Sequence, residues 1–288
     1  MIQEAFLRHP ILITGVRGML GSDLLEILTD RWGSKGVIGT TSSDLDITNL
    51  EQIKNFLKNH SVSYIVNAAA YTDVDKAEQE REKAFLVNVM GPKYLCEAAN
   101  ELGIPVIHFS TDYVFNGAPK APLSEEDTPS PLTPNYYAET KLQGEKAVLR
   151  NTINLVLRVQ WLYGKKKERF TQLKNKSEYF AFEDQWGAPT WTRDVSQTVC
   201  ELILQKAHGL FHFAYDDHAS WAQVFSFVCE QKGYSTKIIP KRMSELNLPA
   251  KRPQYCVMLN KKLLHQLGRK QMGSWKNSLS EFLFSLKD

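Results

Sequence analysis

Residues 11–30 read ILITGVRGMLGSDLLEILTD, and this stretch decides the fold. Ile11 to Thr14 is a compact, β-prone run, and SDLLEILTD carries the apolar spacing of a helix. Between them lie Gly15, Gly18 and Gly21. Three glycines at a strand-to-helix junction permit a tight turn, close approach of backbone to a phosphate, and close packing of helix on strand. An anion there meets unpaired N–H groups and the positive end of the helix dipole. Alone the glycines are a weak motif, compatible with a purely structural turn. At the first junction of an alternating β/α chain they read as a dinucleotide-binding turn.

The alternation extends outward from this unit. Val37–Thr40 is strand-like, Leu50–Lys58 helical, Tyr64–Asn67 a strand, Glu82–Leu102 a long helix closed by Gly103 and Pro105, Ile104–Phe109 a strand, and Ile153–Val159 another. This order predicts an α/β fold: a Rossmann-type, doubly wound parallel sheet with right-handed crossovers. Ligands bind beyond the carboxyl ends of strands in such sheets. The glycine turn, the NAAAYT segment from Asn67 and the STD segment from Ser110 should therefore meet at one crevice. Beyond residue 160 the pattern loosens into a helix over Val195–Lys206, a strand-like GLFHFA, a helix over Ala222–Gln231, and two short terminal helices, one around Trp275–Leu286. The expected division is a dinucleotide domain over 1–160 and a smaller substrate lobe over 161–288, their boundary interleaved and the substrate between them.

The stretch His108–Glu145 carries the candidate chemistry: HFSTDYVFNG, a loop with Pro119, Pro122, Pro129, Pro131 and Pro134, then NYYAETKLQGEKAV. The strand ends on Ser110, Thr111 and Asp112, and Asn135 is placed to cap the helix that follows. Tyr137 and Lys141, four apart, leave one helical face. A free phenol has a pKa of roughly 10, and an ammonium beside it should lower that value and turn Tyr137 into a usable proton donor or acceptor. With 11 Tyr and 35 Lys+Arg in 288 residues, the spacing recurs by chance. Tyr163 and Lys167 repeat it in WLYGKKKERF, where no helix has begun, so that copy reads as a loop coincidence.

Composition sets outer bounds. Hydrophobic residues at 43% and charged residues at 23% are ordinary for a globular protein, and a net charge of +3 argues neither for a nucleic-acid surface nor for an acidic partner. Lys165–Lys167 reads first as a solvated loop and second as a phosphate contact. Cys96, Cys200, Cys229 and Cys256 are too scattered for a metal site or a redox pair. The leading MIQEAFLRHP lacks a signal-peptide core and no apolar run is long enough for a membrane span, so the expectation is a cytoplasmic protein without metal or membrane.

These residues carry a family likeness. NAAAYTDVDKAE, HFSTDYVFNG, PSPLTPNYYAETKLQGEKAV, LRVQWLYG, DQWGAPT and KRPQYCVMLN, in this order and over nearly the whole chain, resemble segments of the extended short-chain dehydrogenase/reductases, and within them of the dTDP-4-dehydrorhamnose reductase family. The resemblance implies reduction of the 4-keto group of a nucleotide-linked 6-deoxy sugar, with a nucleotide sugar as partner and a homodimer left open. It implies that Thr111 holds the carbonyl oxygen, that Tyr137 is the proton donor, and that Lys141 binds the nicotinamide ribose and tunes the tyrosine. Gly15, Val16, Arg17, Gly18, Met19 and Leu20 match the pyrophosphate turn, Thr40 the end of the second strand, Asp46 and Ile47 the segment beside adenine, and Ala68, Ala69 and Ala70 the cofactor channel. Tyr113 and Trp161 match positions that meet the substrate; for Trp161 the alternative is core packing.

Ala138 stands where the family has glycine, Gln160 where it has a small hydroxyl residue, and Lys165–Arg169 replaces a Gly/Asn-rich loop. A binding protein like the methionine adenosyltransferase β subunit is one rival reading, because fold does not guarantee turnover. A nucleotide-sugar epimerase or 4,6-dehydratase is another, weakened by Tyr113 where the dehydratase needs glutamate. NADPH is the expected cofactor, NADH remaining open. The second strand runs into Thr40, Thr41, Ser42 and Ser43 with no carboxylate before Asp44, and the guanidinium of Arg17 can reach a 2′-phosphate.

Overall fold

The computed structural model describes residues 7–117, 121–130 and 132–286. Pro119 and Pro131 of the proline loop, and the first six residues of the leading segment, lie outside the described residues.

The first unit is β1 (Ile11–Thr14), the glycine turn and α1 (Met19–Trp32), followed by β2 (Val37–Thr40), α2 (Leu50–Asn59) and β3 (Tyr64–Asn67). Then come α3 (Arg81–Phe85) and α4 (Gly91–Asn100), β4 (Val106–Thr111), α5 (Tyr136–Val148) and β5 (Leu155–Val159). Short strands β6 (Leu162–Tyr163), β7 (Glu178–Phe182), β8 (Trp186–Gly187) and β9 (Thr190–Trp191) precede α6 (Thr192–Leu204) and β10 (Gly209–His212). The chain ends through β11 (Ala219–Ser220), α7 (Trp221–Lys232), β12 (Lys237–Lys241), α8 (Lys261–Leu267) and α9 (Trp275–Ser285).

The central sheet is six-stranded in the order β10-β5-β4-β3-β1-β2, with every neighbouring pair parallel. Alternation along each strand loads both faces, as period-two geometry requires. Ile11 and Ile13 join Leu24 and Leu28 of α1 and Val199 of α6 in one core, while Leu12 and Ile65 join Ile53 of α2 and Leu95 of α4 in a second. The edge strand β10 comes from well beyond residue 160 and pairs with β5, so the later half of the chain contributes to the nucleotide sheet itself.

Two elements differ from expectation. The helix expected over Glu82–Leu102 runs unbroken over residues 81–100 but widens into a π turn at Leu86–Met90, where the Asn88 side chain bonds both backbone groups of Tyr71 and the Thr140 hydroxyl. Gly144 of α5 lies so close that a Cβ there would sit 2.1 Å from the Asn88 carbonyl oxygen. The widened turn thus seats α5. The fourth strand is displaced toward its polar end, to Val106–Thr111, because pairing with β5 continues through Thr111 opposite Val159.

Candidate active site

The glycine turn sits at the carboxyl ends of β1 and β3. Gly15 has a φ of 75°, and a Cβ there would meet the Ala69 backbone nitrogen at 2.7 Å; a Cβ at Gly21 would lie 2.2 Å from the Gly15 oxygen. Only glycine fits both demands at position 15. No side chain caps the start of α1, leaving that end open to an anion. Ala68, Ala69 and Ala70 are partly exposed just past β3, beside the turn. These features form a cradle for a dinucleotide.

Around the cradle, Arg17 is exposed and close enough to Asp44 that its charge helps, after two hydrogen bonds from Thr41, to hold that carboxyl below its ordinary value. Not every hydroxyl at the end of β2 is available. Thr40 is buried and donates to the Ile13 carbonyl at 3.2 Å, and the Thr41 hydroxyl donates to Asp44 at 2.7 Å. Ser42 and Ser43 are exposed. Asp46 uses its carboxylate on Thr48, and Ile47 is buried against Gly91. Lys166 donates to the Val16 carbonyl at 3.3 Å, which brings the basic loop onto the turn.

Helix α5 begins as expected. Asn135 accepts from Ala138 N–H at 2.8 Å and donates to the Lys251 carbonyl at 2.7 Å, tying the start of α5 to the later part of the chain. Tyr137 is partly buried, near enough to the Thr111 hydroxyl for it to act on the phenol, and its ring stands edge-on to Tyr113 with centroids 6.1 Å apart. The structure corrects the expected lowering of its pKa. Burial pushes the phenol up to about 12, opposed by Thr111 and reinforced by Asp112. The Lys141 ammonium does not offset this, because Nζ turns to the Phe109 carbonyl at 2.6 Å and to His108 Nε2 at 3.3 Å. Burial brings Lys141 itself down to about 8, with Glu145 opposing.

The strand end places Thr111 against Asp112, whose carboxyl burial raises to about 7 while one of its oxygens has no hydrogen-bond partner. Gln185 of the DQWGAPT segment donates to the Tyr113 hydroxyl at 3.1 Å. Trp161 stacks on Trp221 at 4.2 Å with one edge against Gly187, and its φ of 44° is held by that packing. It is partly exposed, on the same side of the sheet ends as Thr111. Gln160 is buried, its carbonyl oxygen without a partner. The second Tyr-x-x-x-Lys is not helical: Tyr163 ends β6, and Gly164 and Lys167 close a turn.

Several groups at the site escape sequence reasoning. Thr14, Asn67 and His108 form a buried polar row across three strands, and Arg158 pairs with Glu145 and His212 behind Lys141. The signal was present, since a polar residue within a fully buried parallel strand must find a partner. Which partner depends on register. Among the described residues no cluster of three or more His, Cys, Asp or Glu could hold a metal ion, and no helix is long and apolar enough to cross a membrane.

Comparison with known proteins gives this geometry a context. The model of the RmlD substrate binding domain family matches residues 9–287. The dTDP-4-dehydrorhamnose reductase of Aggregatibacter actinomycetemcomitans is 32% identical, over 93% of this chain and 96% of that protein. The crystal structure of a dTDP-4-dehydrorhamnose reductase from Clostridium acetobutylicum superposes with a TM-score of 0.90 at 34% identity, covering 96% of this chain and 98% of the other. The enzyme of that name from Bacillus anthracis, crystallised in complex with NADP, superposes equally well at 29% identity, over 97% and 100% of the two chains. Matched by that family model over nearly its whole length and by such relatives at 32–34% identity, the chain belongs to the dTDP-4-dehydrorhamnose reductase family of extended short-chain dehydrogenase/reductases.

Proposed function

We propose that this protein uses NADPH to reduce the 4-keto group of a dTDP-linked 6-deoxy sugar, dTDP-4-dehydrorhamnose or a close relative. The observation that carries the reading is the convergence of Thr111, Tyr137 and Lys141 at the carboxyl end of β4, beside the cradle formed by Gly15 and Ala69. The cofactor, when bound, supplies the hydride. Thr111 holds the carbonyl oxygen of the sugar, and Tyr137 gives that oxygen its proton. A phenol raised to about 12 stays protonated at neutral pH, as a proton donor must. Lys141 holds the nicotinamide ribose. Tyr113, fixed by Gln185, borders the sugar, and Trp161, stacked on Trp221, meets the base of the nucleotide. The four cysteines are free and buried, which suits a reducing cytoplasm. The test is oxidation of reduced cofactor against a panel of dTDP-, UDP- and GDP-linked 4-keto sugars. Turnover confined to a dTDP-linked ketone supports the reading; none with any member of the panel overturns it.

Two variants probe the ligands. Arg17 is exposed in the glycine turn after β1, close enough to act on Asp44 beyond β2, where the Thr40 hydroxyl is turned inward. Charge-assisted hydrogen bonds contribute about 1.5–3 kcal/mol, so Arg17→Ala should weaken NADPH binding roughly ten- to 150-fold and leave NADH nearly untouched. Equal losses for the two cofactors, measured by fluorescence titration, would assign Arg17 to the pyrophosphate or the turn. Aromatic stacking on a base is worth roughly 1–3 kcal/mol, so Trp161→Ala should raise KM about five- to 150-fold with a smaller change in kcat. An unchanged KM would confine Trp161 to packing on Trp221.

A further inference from the structure

The polar row beneath the site fixes more than position. Thr14, Asn67 and His108 are register partners on β1, β3 and β4, and all three are buried. The Asn67 Oδ1 atom accepts from the Ala69 backbone N–H at 3.2 Å and from the Thr14 hydroxyl at 2.7 Å. A backbone N–H can only donate, so the oxygen of the amide is the atom turned toward Ala69. The amide nitrogen then faces His108 Nδ1 at 3.1 Å and donates to it. A ring nitrogen that accepts carries no proton, so a neutral His108 has its proton on Nε2. Burial holds His108 well below the ordinary imidazole value, with Lys141 adding to the effect, so the neutral ring is the form present.

The protonated Nε2 lies 3.3 Å from Lys141 Nζ. An ammonium has three donors and no acceptor, whereas a neutral amine has a lone pair. Lys141 also donates to the Phe109 carbonyl at 2.6 Å. An amine satisfies both partners, donating to Phe109 and accepting from His108. An ammonium sets donor against donor, and turning the histidine to its other tautomer only moves that conflict to Asn67. We propose that His108 is a positioning residue that sets the proton affinity of Lys141, its Nε2–H favouring the amine over the ammonium. The direction of the row is imposed from the cofactor turn, through Ala69 and Asn67. The titratable groups around Lys141 are His108 from β4 and, on its own helix, Tyr137 and Glu145, the latter paired with Arg158 of β5. Burial brings Lys141 down to about 8 and Glu145 pulls back toward the ammonium; the donor–acceptor geometry at His108 adds a separate pull toward the amine.

The consequence for turnover rests on the proposed reductase function, but the protonation state does not, and the experiment separates them. In the intact, substrate-free protein, imidazole 15N NMR should find His108 as the Nε2–H tautomer; the Nδ1–H tautomer would overturn the proposal. In protein carrying 13Cε-labelled lysine, with the Lys141 signal assigned by its loss in Lys141→Arg, His108→Gln should move the Lys141 midpoint up by about one pH unit or more, tenfold in proton affinity. The glutamine carbonyl can accept from an ammonium where the histidine cannot. A midpoint that stays in place or falls in a folded His108→Gln protein overturns the assignment. If reduction needs the ammonium, activity is present below the Lys141 pKa and lost as pH rises through it, so the alkaline limb of kcat/KM should move up with that midpoint. A limb that stays while the midpoint moves counts against the ammonium in catalysis, and the absence of any ketone reduction counts against the function; neither alters the NMR result.

Discussion

Tyr137→Phe should lower turnover by about 100- to 10,000-fold, the range that a positioned general acid contributes. The substitution removes one oxygen and keeps the ring that stands edge-on to Tyr113, so the walls of the crevice stay in place. Thr111 keeps its hydrogen bond to the Asp112 carboxylate, at 3.0 Å. Cofactor affinity, measured by fluorescence titration, should change little, because the cradle at Gly15 and Ala69 and the lysine bonded to Phe109 are untouched. A variant with full activity would take the proton-donor role from Tyr137. The burial that raises the phenol to about 12 also sharpens the expectation, since little of the tyrosine is ionised at neutral pH and the hydroxyl is present to be lost.

The second large effect is on stability. Glu145 and Arg158 are 3% and 1% exposed, joined by Nη2 to Oε1 at 2.6 Å and Nε to Oε2 at 3.0 Å, with the remaining guanidinium nitrogen 3.1 Å from His212 Nε2. Taking away one member of such a pair leaves a buried charge without a partner, which costs about 3–5 kcal/mol. Arg158→Met should lose that much in denaturant unfolding, a large part of the roughly 5–15 kcal/mol by which domains are stable. The double variant Glu145→Leu with Arg158→Met should recover most of it, because an apolar pair of similar volume avoids the desolvation cost. A single variant within about 1 kcal/mol of the parent, or a double variant no better than the single, would contradict the account. The pair joins the helix of Tyr137 and Lys141 to β5, so the single variant should also loosen the placement of those two side chains.

Sequence alone determined the alternation of strands and helices, the glycine turn after β1, the Asn135 cap and the common face of Tyr137 and Lys141. Each is a local matter, since hydrophobic period, backbone freedom at glycine and the 3.6-residue turn are set within a few residues of chain. Tertiary structure decided the rest. The spacing of Tyr137 and Lys141 could not say where the lysine nitrogen points, because the Phe109 carbonyl and His108 that attract it lie more than thirty positions away. Nor could spacing foretell that burial would outweigh charge at the phenol, since desolvation depends on everything packed around it. The row Thr14–Asn67–His108 exists only through the register of three parallel strands, and Glu145 finds Arg158 only once α5 lies against β5. Trp161 takes a positive φ that its sequence disfavours because Trp221 and Gly187 hold its ring. Polar residues inside buried strands announced that partners were needed; the fold alone chose them.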